Sequence, residues 1–464
     1  MLPCKSVFMH NTTPPARKKL YIKTYGCQMN VYDSQRMEDV MTPLGYEMTD
    51  SQDDANLVIL NTCHIREKAA EKVYSDLGRI NKHKMKRNAK GEELLIAVGG
   101  CVGQAEGKHI MERAPYVDIV MGPQSYHELP RMVTQARSKI GSAKNGGVVE
   151  LEFPEIQKFD LLPAPNKVNG ASAFISVQEG CDKFCTFCVV PYTRGAEYSR
   201  PAQTILDEAK KLVEEKGILE VTLLGQNVNA YHGDDGKGGV STLAELISHL
   251  AQIEGLERIY YLTSHPQDML DDLIDAHGDI PKLMPYLHLP VQAGSDRILK
   301  AMNRKHTASH YIDILQRLRK KRPDIAFSGD FIVGFPGETD EDFNDTMRLV
   351  ETVGYAAAYS FKYSQRPGTP AATVENQVDE AVKTTRLALL QGLLNRQQLA
   401  FNEATIGKTF DVLLERNGKY EEQMIGRSPW MQSVHVDNAA QFGHKLVPVR
   451  ITHGGPKGLT GELA

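Results

Sequence analysis

The stretch QEGCDKFCTFCVVPYTRG, residues 178–195, sets Cys181, Cys185 and Cys188 in a C-x3-C-x2-C spacing with no histidine to make a fourth ligand. Thiolates are soft ligands suited to zinc, copper(I) or iron–sulfur clusters. Structural zinc normally wants four protein ligands, and the local fourth is missing here, although a distant His could complete the set. An iron–sulfur cube takes one cysteine per iron. With three, one iron keeps an open coordination position for an outside ligand, which points to chemistry as well as electron transfer. Three further cysteines, Cys27, Cys63 and Cys101, stand 36 and 38 residues apart. Any one of them alone reads as a small buried hydrophobe. The seventh, Cys4, reads as a bystander. An odd count in a reducing cytosol argues for metal or catalysis rather than a closed disulfide framework.

The elements that must position these groups fall into three parts. Residues 1–18 read as a flexible leader. Residues 19–140 alternate strand-like runs, KLYIKTYG, NLVILNT, LLIAVGG and VDIVMG, with helical patterns. Asp33 or Ser34 reads as the cap of the first helix, which Gly45 ends. Such alternation implies a parallel sheet with helices on its faces. Cys27, Cys63 and Cys101 each follow directly after one of these strands, about one βαβ unit apart. Ligands of open α/β sheets bind outside the carboxyl ends of the strands, so three thiols distant in sequence are expected to meet as a metal centre.

Residues 141–170, rich in Gly, Pro and Asn, read as a linker. Residues 171–400 hold about six further strand-and-helix units, among them AFISVQ, LEVTLLG, LERIYYLT and IAFSGDFIVGF. They fit a full or partial parallel barrel with its chemistry at the C-terminal strand ends, where the C-x3-C-x2-C loop follows the first strand. Residues 401–464 break into short strand-like runs between turns, as in a small antiparallel barrel of the OB kind, a shape that often binds nucleic acid.

Over 464 residues the chain is 41% hydrophobic and 24% charged, with a net charge of −4. It is therefore no bulk polycation. Basic runs such as Lys82-His83-Lys84 and Arg304-Lys305-His306 read singly as solvated faces, and together they permit a basic stripe for phosphates. No run approaches a membrane span, and the start lacks the apolar core of a secretory signal. A cytoplasmic protein is the expectation.

The C-x3-C-x2-C loop after the first barrel strand, with the aromatic Phe187 before the third cysteine, resembles the signature of the radical S-adenosylmethionine superfamily. That resemblance implies a [4Fe–4S] cluster on Cys181, Cys185 and Cys188. Its open iron chelates S-adenosylmethionine, which one electron cleaves to methionine and a 5′-deoxyadenosyl radical. Gly225, Gln226 and Asn227 of LLGQN stand where the superfamily contacts the methionine amino group, although the common glycine-glycine-glutamate is absent. Ile332, Gly334 and Gly337 of GDFIVGFPGE resemble its adenine-contacting pattern.

From about residue 19 to its end the chain resembles a narrower family, the radical methylthiotransferases, through YGCQMNVYDS, NTCHIREKAAEKVYSDLGR, GGCVGQ, CDKFCTFCVVPYTRGAEYSRP and DFIVGFPGETDEDF. Their order is a three-cysteine α/β domain, a radical barrel and a C-terminal TRAM barrel. The residues after Asn61-Thr62-Cys63 resemble the branch that modifies N6-isopentenyladenosine, also called dimethylallyladenosine, at tRNA position 37. The resemblance implies a second [4Fe–4S] cluster on Cys27, Cys63 and Cys101 that carries or delivers sulfur. One S-adenosylmethionine methylates that sulfur, and a second gives the radical that takes hydrogen from adenine C2, where the methylthio group then goes. It further implies an electron donor such as a flavodoxin or ferredoxin, a protein that supplies sulfur or clusters, and a monomer. Arg194 and Arg427 are expected on tRNA, while Trp430 fits either a stacking surface or plain core. The rival substrates are threonylcarbamoyladenosine in tRNA and an aspartate of a ribosomal protein. A rival class is a nucleic-acid-binding protein with two zinc sites, completed by a histidine such as His64.

Overall fold

The computed structural model describes residues 17–63, 67–139, 147–153, 158–163 and 170–464. Alternation along the N-terminal strands decides which helix each side chain meets. Strands β1 (Lys18–Thr24), β2 (Tyr46–Met48), β3 (Leu57–Thr62), β4 (Leu95–Gly99), β5 (Ile119–Met121) and β6 (Val148–Glu150) form one sheet in the order β2-β1-β3-β4-β5-β6. Every neighbouring pair in it is parallel. Leu57 and Ile59 point to the face covered by Met37, Val40 and Met41 of helix Gln28–Met41. Val58 and Leu60 point to the other face, under Val73, Leu77 and Ile80 of helix Glu67–Asn88. Two-sided burial is why NLVILNT and LLIAVGG read as unbroken apolar runs. The sheet order changes direction between β1 and β3, which opens a crevice at the carboxyl ends of those strands.

Two local expectations change. The first helix begins at Gln28, with the Asn30 N–H bonded to the Cys27 carbonyl at 3.0 Å, so Asp33 lies buried inside it rather than capping it. Strand β6 falls within the stretch read as linker. Three residues are too few to show alternation, yet the Val148 N–H bonds to the Asp118 carbonyl and the strand pairs with β5.

Six more strands run in chain order: β7 (Ser172–Ser176), β8 (Glu220–Leu224), β9 (Arg258–Tyr261), β10 (Tyr286–His288), β11 (Ala326–Val333) and β12 (Ala357–Lys362). β7, β8 and β9 pair in parallel, as do β10, β11 and β12. A parallel bridge between Ile259 and Leu283 links the two sets. Among the described residues no pairing returns β12 to β7, so this is a partial barrel.

The C-terminal strands β13 (Thr409–Asn417), β14 (Met424–Arg427), β15 (Ser433–Val436), β16 (Leu446–Gly455) and β17 (Gly458–Leu463) close a barrel in the order β13-β14-β15-β17-β16. It is not wholly antiparallel, because β15 and β17 run parallel. Five strands cannot alternate direction all the way round a ring, so one junction has to be parallel. Among the described residues no helix is long and apolar enough to cross a membrane.

The chain divides into two compact units, Met1–Gly26 with Asp33–Pro163, and Cys27–Tyr32 with Ala164–Ala464. Both barrels belong to the second. Tyr260 Oη donates to the Pro429 carbonyl at 3.0 Å, and Arg258 Nη1 to the Arg427 carbonyl at 3.1 Å. The expectation of Arg427 on tRNA is corrected here: its guanidinium lies 3.0 Å from Glu220, a carboxylate with no solvent exposure, and also pairs with Glu415. Removing such a partner would leave a bare buried charge, so the arginine is held where it is. Trp430 answers its open question as packing: it is partly buried, stands edge-on to Phe401 and Phe410, and donates Nε1 to the Asp324 carbonyl at 2.7 Å.

Candidate functional site

The C-x3-C-x2-C loop leaves the barrel through a two-residue strand, Gln178–Glu179, paired with Tyr198–Ser199. Gly180 at φ +78° turns the chain, and the Cys181 N–H bonds back to the Gly195 carbonyl at 3.2 Å. A second loop buttons onto the first. The Thr186 N–H donates to the Met302 carbonyl, and Asn303 Nδ2 donates to the Phe184 carbonyl, both at 3.0 Å. Phe184 holds φ +48°, a strained value for a bulky residue that marks the loop as pinned in shape.

Cys185 is buried, and Cys181 and Cys188 are half-buried. Burial, and then the neighbouring thiols, push Cys181 up to about 12 against the pull of the Lys183 backbone N–H. Burial pushes Cys188 up to about 11. Such thiols stay protonated at neutral pH unless a metal cation displaces the proton. Beside them Arg304 is buried, with Nη1 3.7 Å from Cys185 Sγ and Nη2 donating to the Pro290 carbonyl. Among the described residues no carboxylate pairs with it, and its Nε lacks a partner. A dry guanidinium facing a cysteine sulfur suits an anionic metal–thiolate group, and the three thiols fit a cluster on that ground. Among the described residues no three His, Cys, Asp or Glu converge on a single ion; each thiolate of a cube ligates its own iron.

Arg304 and its neighbour His306 correct the reading of Arg304-Lys305-His306 as a solvated run. Both are buried, and His306 stands edge-on to buried His265, with ring centroids 5.7 Å apart. Burial, then the charge of Arg304, push His265 down to about 2 and His306 down to about 4, so both rings are neutral.

Gly225, Gln226 and Asn227 leave β8 beside the cysteine loop, joined to it by Gln178. Gln178 is fully buried, and its Oε1 accepts the N–H groups of Gln226 and Asn227 at 2.8 and 3.0 Å. Its Nε2 donates to the Gly180 carbonyl at 2.7 Å, and Gln226 Oε1 accepts the Gly180 N–H at 2.6 Å. A Cβ on Gly225 would lie 2.5 Å from Gln178 Oε1, so glycine is required there. Asp268 bridges the same loops, accepting from Asn227 Nδ2 at 2.8 Å and Lys183 Nζ at 2.7 Å. Gln178 lies inside the quoted motif, three residues before Cys181; Asp268 gave no signal.

Phe187 and Ile332 pack partly buried against one small core with Phe335 and Tyr363. Gly334 has φ +70°, and its N–H is held by Glu338 at 2.8 Å. The stem of Lys383 fills the place of its Cβ, so the close approach this glycine permits is to Lys383. Arg194 is a correction like Arg427. Its side chain is 3% exposed, with Nη1 on Glu179 at 2.6 Å and Nη2 3.4 Å from Asn30 Oδ1. A guanidinium held inside the fold does not present itself to a phosphate.

In the N-terminal sheet, register places the strand ends side by side: Thr24 pairs with Asn61, Asn61 with Gly99, and Thr62 bridges Gly100. Cys63 and Cys101, both buried, follow directly on a bridged pair. Gly26, the residue before Cys27, has φ +103°, and a Cβ there would stand 2.6 Å from Cys63 Sγ. Gly26→Ala is expected to displace Cys63 and to lower bound iron and sulfide to about half, which metal analysis after anaerobic reconstitution would read. Full loading would show that the glycine does not shape this site. His64 lies outside the described residues.

Three stretches match family models: residues 19–122 an uncharacterized protein family designated UPF0004, residues 175–350 the Radical SAM superfamily, and residues 403–464 the TRAM domain. Two curated relatives share nearly the whole chain. The tRNA-2-methylthio-N(6)-dimethylallyladenosine synthase of Rickettsia felis is 58% identical over 448 residues, 96% of this chain and 99% of that protein. The enzyme of the same name from Maricaulis maris is 59% identical over 451 residues, 96% of this chain and 97% of that protein. Among solved structures, the radical S-adenosylmethionine methyltransferase TsrM from Kitasatospora setae, with cobalamin and a [4Fe-4S] cluster bound, aligns at a TM-score of 0.54 and 13% identity, covering 77% of each chain. The cobalamin-dependent radical enzyme OxsB aligns at 0.52 and 12% identity, over 82% of this chain and 56% of that one. At such identities these two speak for the fold alone.

Proposed function

The chain belongs to the tRNA-2-methylthio-N(6)-dimethylallyladenosine synthase family, and from that premise we propose that it places a methylthio group on C2 of N6-dimethylallyladenosine at position 37 of tRNA. It is a radical S-adenosylmethionine methylthiotransferase, with iron–sulfur clusters and S-adenosylmethionine as cofactors. In this reading Cys181, Cys185 and Cys188 hold the cluster that meets S-adenosylmethionine, and Cys27, Cys63 and Cys101 hold the auxiliary one. Bound there, these groups supply one-electron chemistry, sulfur and a methyl group, which suits an aromatic C–H too weakly acidic for a general base.

The chain's own residues do the positioning. Gln178 and Asp268 tie the loop of Gly225, Gln226 and Asn227 to the cysteine loop. Phe187 and Ile332, partly buried on their shared small core, give that side of the loop an apolar wall. An apolar, fixed wall limits the quenching of reactive species by water. The observation that carries the reading is the second set of cysteines, two of which follow a bridged pair at one sheet edge, in a chain whose barrel already bears the C-x3-C-x2-C loop. One cluster suffices to cleave S-adenosylmethionine; inserting sulfur needs a source of sulfur. The electron comes from a donor of the flavodoxin or ferredoxin kind, and a supply protein restores the sulfur. The chain works as a monomer in the cytoplasm.

Nucleoside mass spectrometry of tRNA from cells lacking this chain tests the substrate. N6-dimethylallyladenosine is expected to accumulate at the expense of its 2-methylthio form, with restoration by the intact chain. An unchanged pool would defeat the substrate assignment and turn the search to threonylcarbamoyladenosine and to ribosomal proteins.

A further inference from the structure

Arg304 poses an electrostatic problem that the fold does not solve. Its backbone N–H is fixed to the Leu299 carbonyl at 2.8 Å, in a loop that Asn303 and Met302 pin to the cysteine loop. The side chain is buried, reaches Cys185 Sγ at 3.7 Å, and spends Nη2 on the Pro290 carbonyl. The rings packed near it, His265 and His306, are neutral, and among the described residues no carboxylate pairs with it. A buried guanidinium is costly without an anion, and the sulfur it faces belongs to an expected metal ligand. Three thiolates on a four-iron cube leave the whole net negative, and the electron that primes it makes it more so. A fixed cation therefore stabilises the reduced cluster more than the oxidised one, and charge and hydrogen bonds to ligand sulfurs are what tune such potentials.

We propose that Arg304 sets the reduction potential of the cluster held by Cys181, Cys185 and Cys188, raising it so that an external one-electron donor can reduce it. The proposal rests on the reading of those cysteines as cluster ligands. Arg304 acts through the Cys185 sulfur and through space; it is not asked to touch substrate. Dithionite serves as the probe donor: it is oxidised as one electron enters the cluster, and no bond in the protein forms or breaks.

The test uses the full chain, reconstituted anaerobically, as wild type, Arg304→Gln, Arg304→Lys and His306→Gln. Iron and sulfide content reports loading, and a mediated titration followed by electron paramagnetic resonance reports the potential. The signal that changes on adding S-adenosylmethionine identifies the relevant cluster. At the potential where the wild type is half reduced, Arg304→Gln is expected to show a tenfold lower ratio of reduced to oxidised cluster, equivalent to a midpoint about 59 mV lower for a one-electron couple. Arg304→Lys and His306→Gln are expected within twofold of wild type. A loaded Arg304→Gln that also stays within twofold overturns the proposal. So does a His306→Gln shift of equal size, which would make the effect one of packing. Should Arg304→Gln load no cluster, Arg304→Lys decides: loaded with the potential kept, it supports the charge role, and empty or displaced, it overturns it. A wild type that loads no cluster responsive to S-adenosylmethionine defeats the ligand assignment itself, a result distinct from any of these.

Discussion

Cys185→Ser is expected to abolish both 5′-deoxyadenosine and the methylthiolated nucleoside, while Cys63→Ser abolishes only the second. The two cysteines look alike locally, since both are buried and both sit beyond a strand end. What separates them is the company each keeps. Cys185 shares its loop with Cys181 and Cys188 and lies beside the loop of Gly225 to Asn227 that Gln178 holds in place. Cys63 lies against Gly26 at the edge of a different sheet. If the first set cleaves S-adenosylmethionine and the second supplies sulfur, cleavage survives loss of the second. Each product should fall by at least about a thousandfold where its centre is removed, the scale on which one member of an interdependent catalytic set acts. Cys63→Ser should release 5′-deoxyadenosine at a rate of the same order as wild type when dithionite supplies electrons. Chromatography of both products from one reaction checks this. Loss of 5′-deoxyadenosine in Cys63→Ser, with the first cluster loaded, would mean the two centres do not work separately.

The sequence carried the sites better than it carried their supports. Strand-end cysteines were legible because a parallel sheet repeats at a nearly fixed interval, and β1, β3 and β4 are long enough to show it, β3 and β4 being buried along their whole length. β2 and β6, three residues each, left no periodic trace. The parallel junction between β15 and β17 follows from the odd strand count, which becomes visible only once the barrel is known to close. The basic residues were the least legible. Arg427 meets Glu220, 207 positions away, and Arg194 meets Glu179 across the cysteine loop, so neither charge is free for RNA. Lone arginines in a sequence read as surface, because the carboxylate that draws each inward is distant or sits in an unrelated motif. Arg304 was hidden for the opposite reason. It sits in a basic run, and a run reads as solvated, whereas the fold buries Arg304 and His306.

Gln178→Ala is the other change expected to act strongly without touching a cysteine. The Gln178 side chain is fully buried and holds three backbone groups: it accepts the N–H of Gln226 and of Asn227 and donates to the carbonyl of Gly180. Truncation orphans both N–H groups at once, at about 1–3 kcal/mol each when no water replaces the lost acceptor. Gly225 packs directly on that amide, so no room exists for the loop to relax toward another partner without moving. The chain can avoid the cost by letting residues 225–227 drift from the cysteine loop, which loosens the ground on which the methionine end of S-adenosylmethionine is expected to rest. A loss of even about 2 kcal/mol in holding that loop corresponds to roughly thirtyfold in affinity. S-adenosylmethionine binding to the reconstituted enzyme is therefore expected to weaken by more than about tenfold while iron content stays at the wild-type level. Gln178→Glu separates the acceptor from the donor. Its Oε1 still receives the two N–H groups, but a carboxylate oxygen then faces the Gly180 carbonyl where an N–H stood 2.7 Å away. It should bind S-adenosylmethionine no better than alanine, because the two N–H contacts persist but the carboxylate is buried without a counter-ion and faces the carbonyl. Equilibrium binding within threefold of wild type for the alanine variant would mean that Gln226 on Gly180 and Asn227 on Asp268 hold the loop without it, and Gln178 would lose its place in the site.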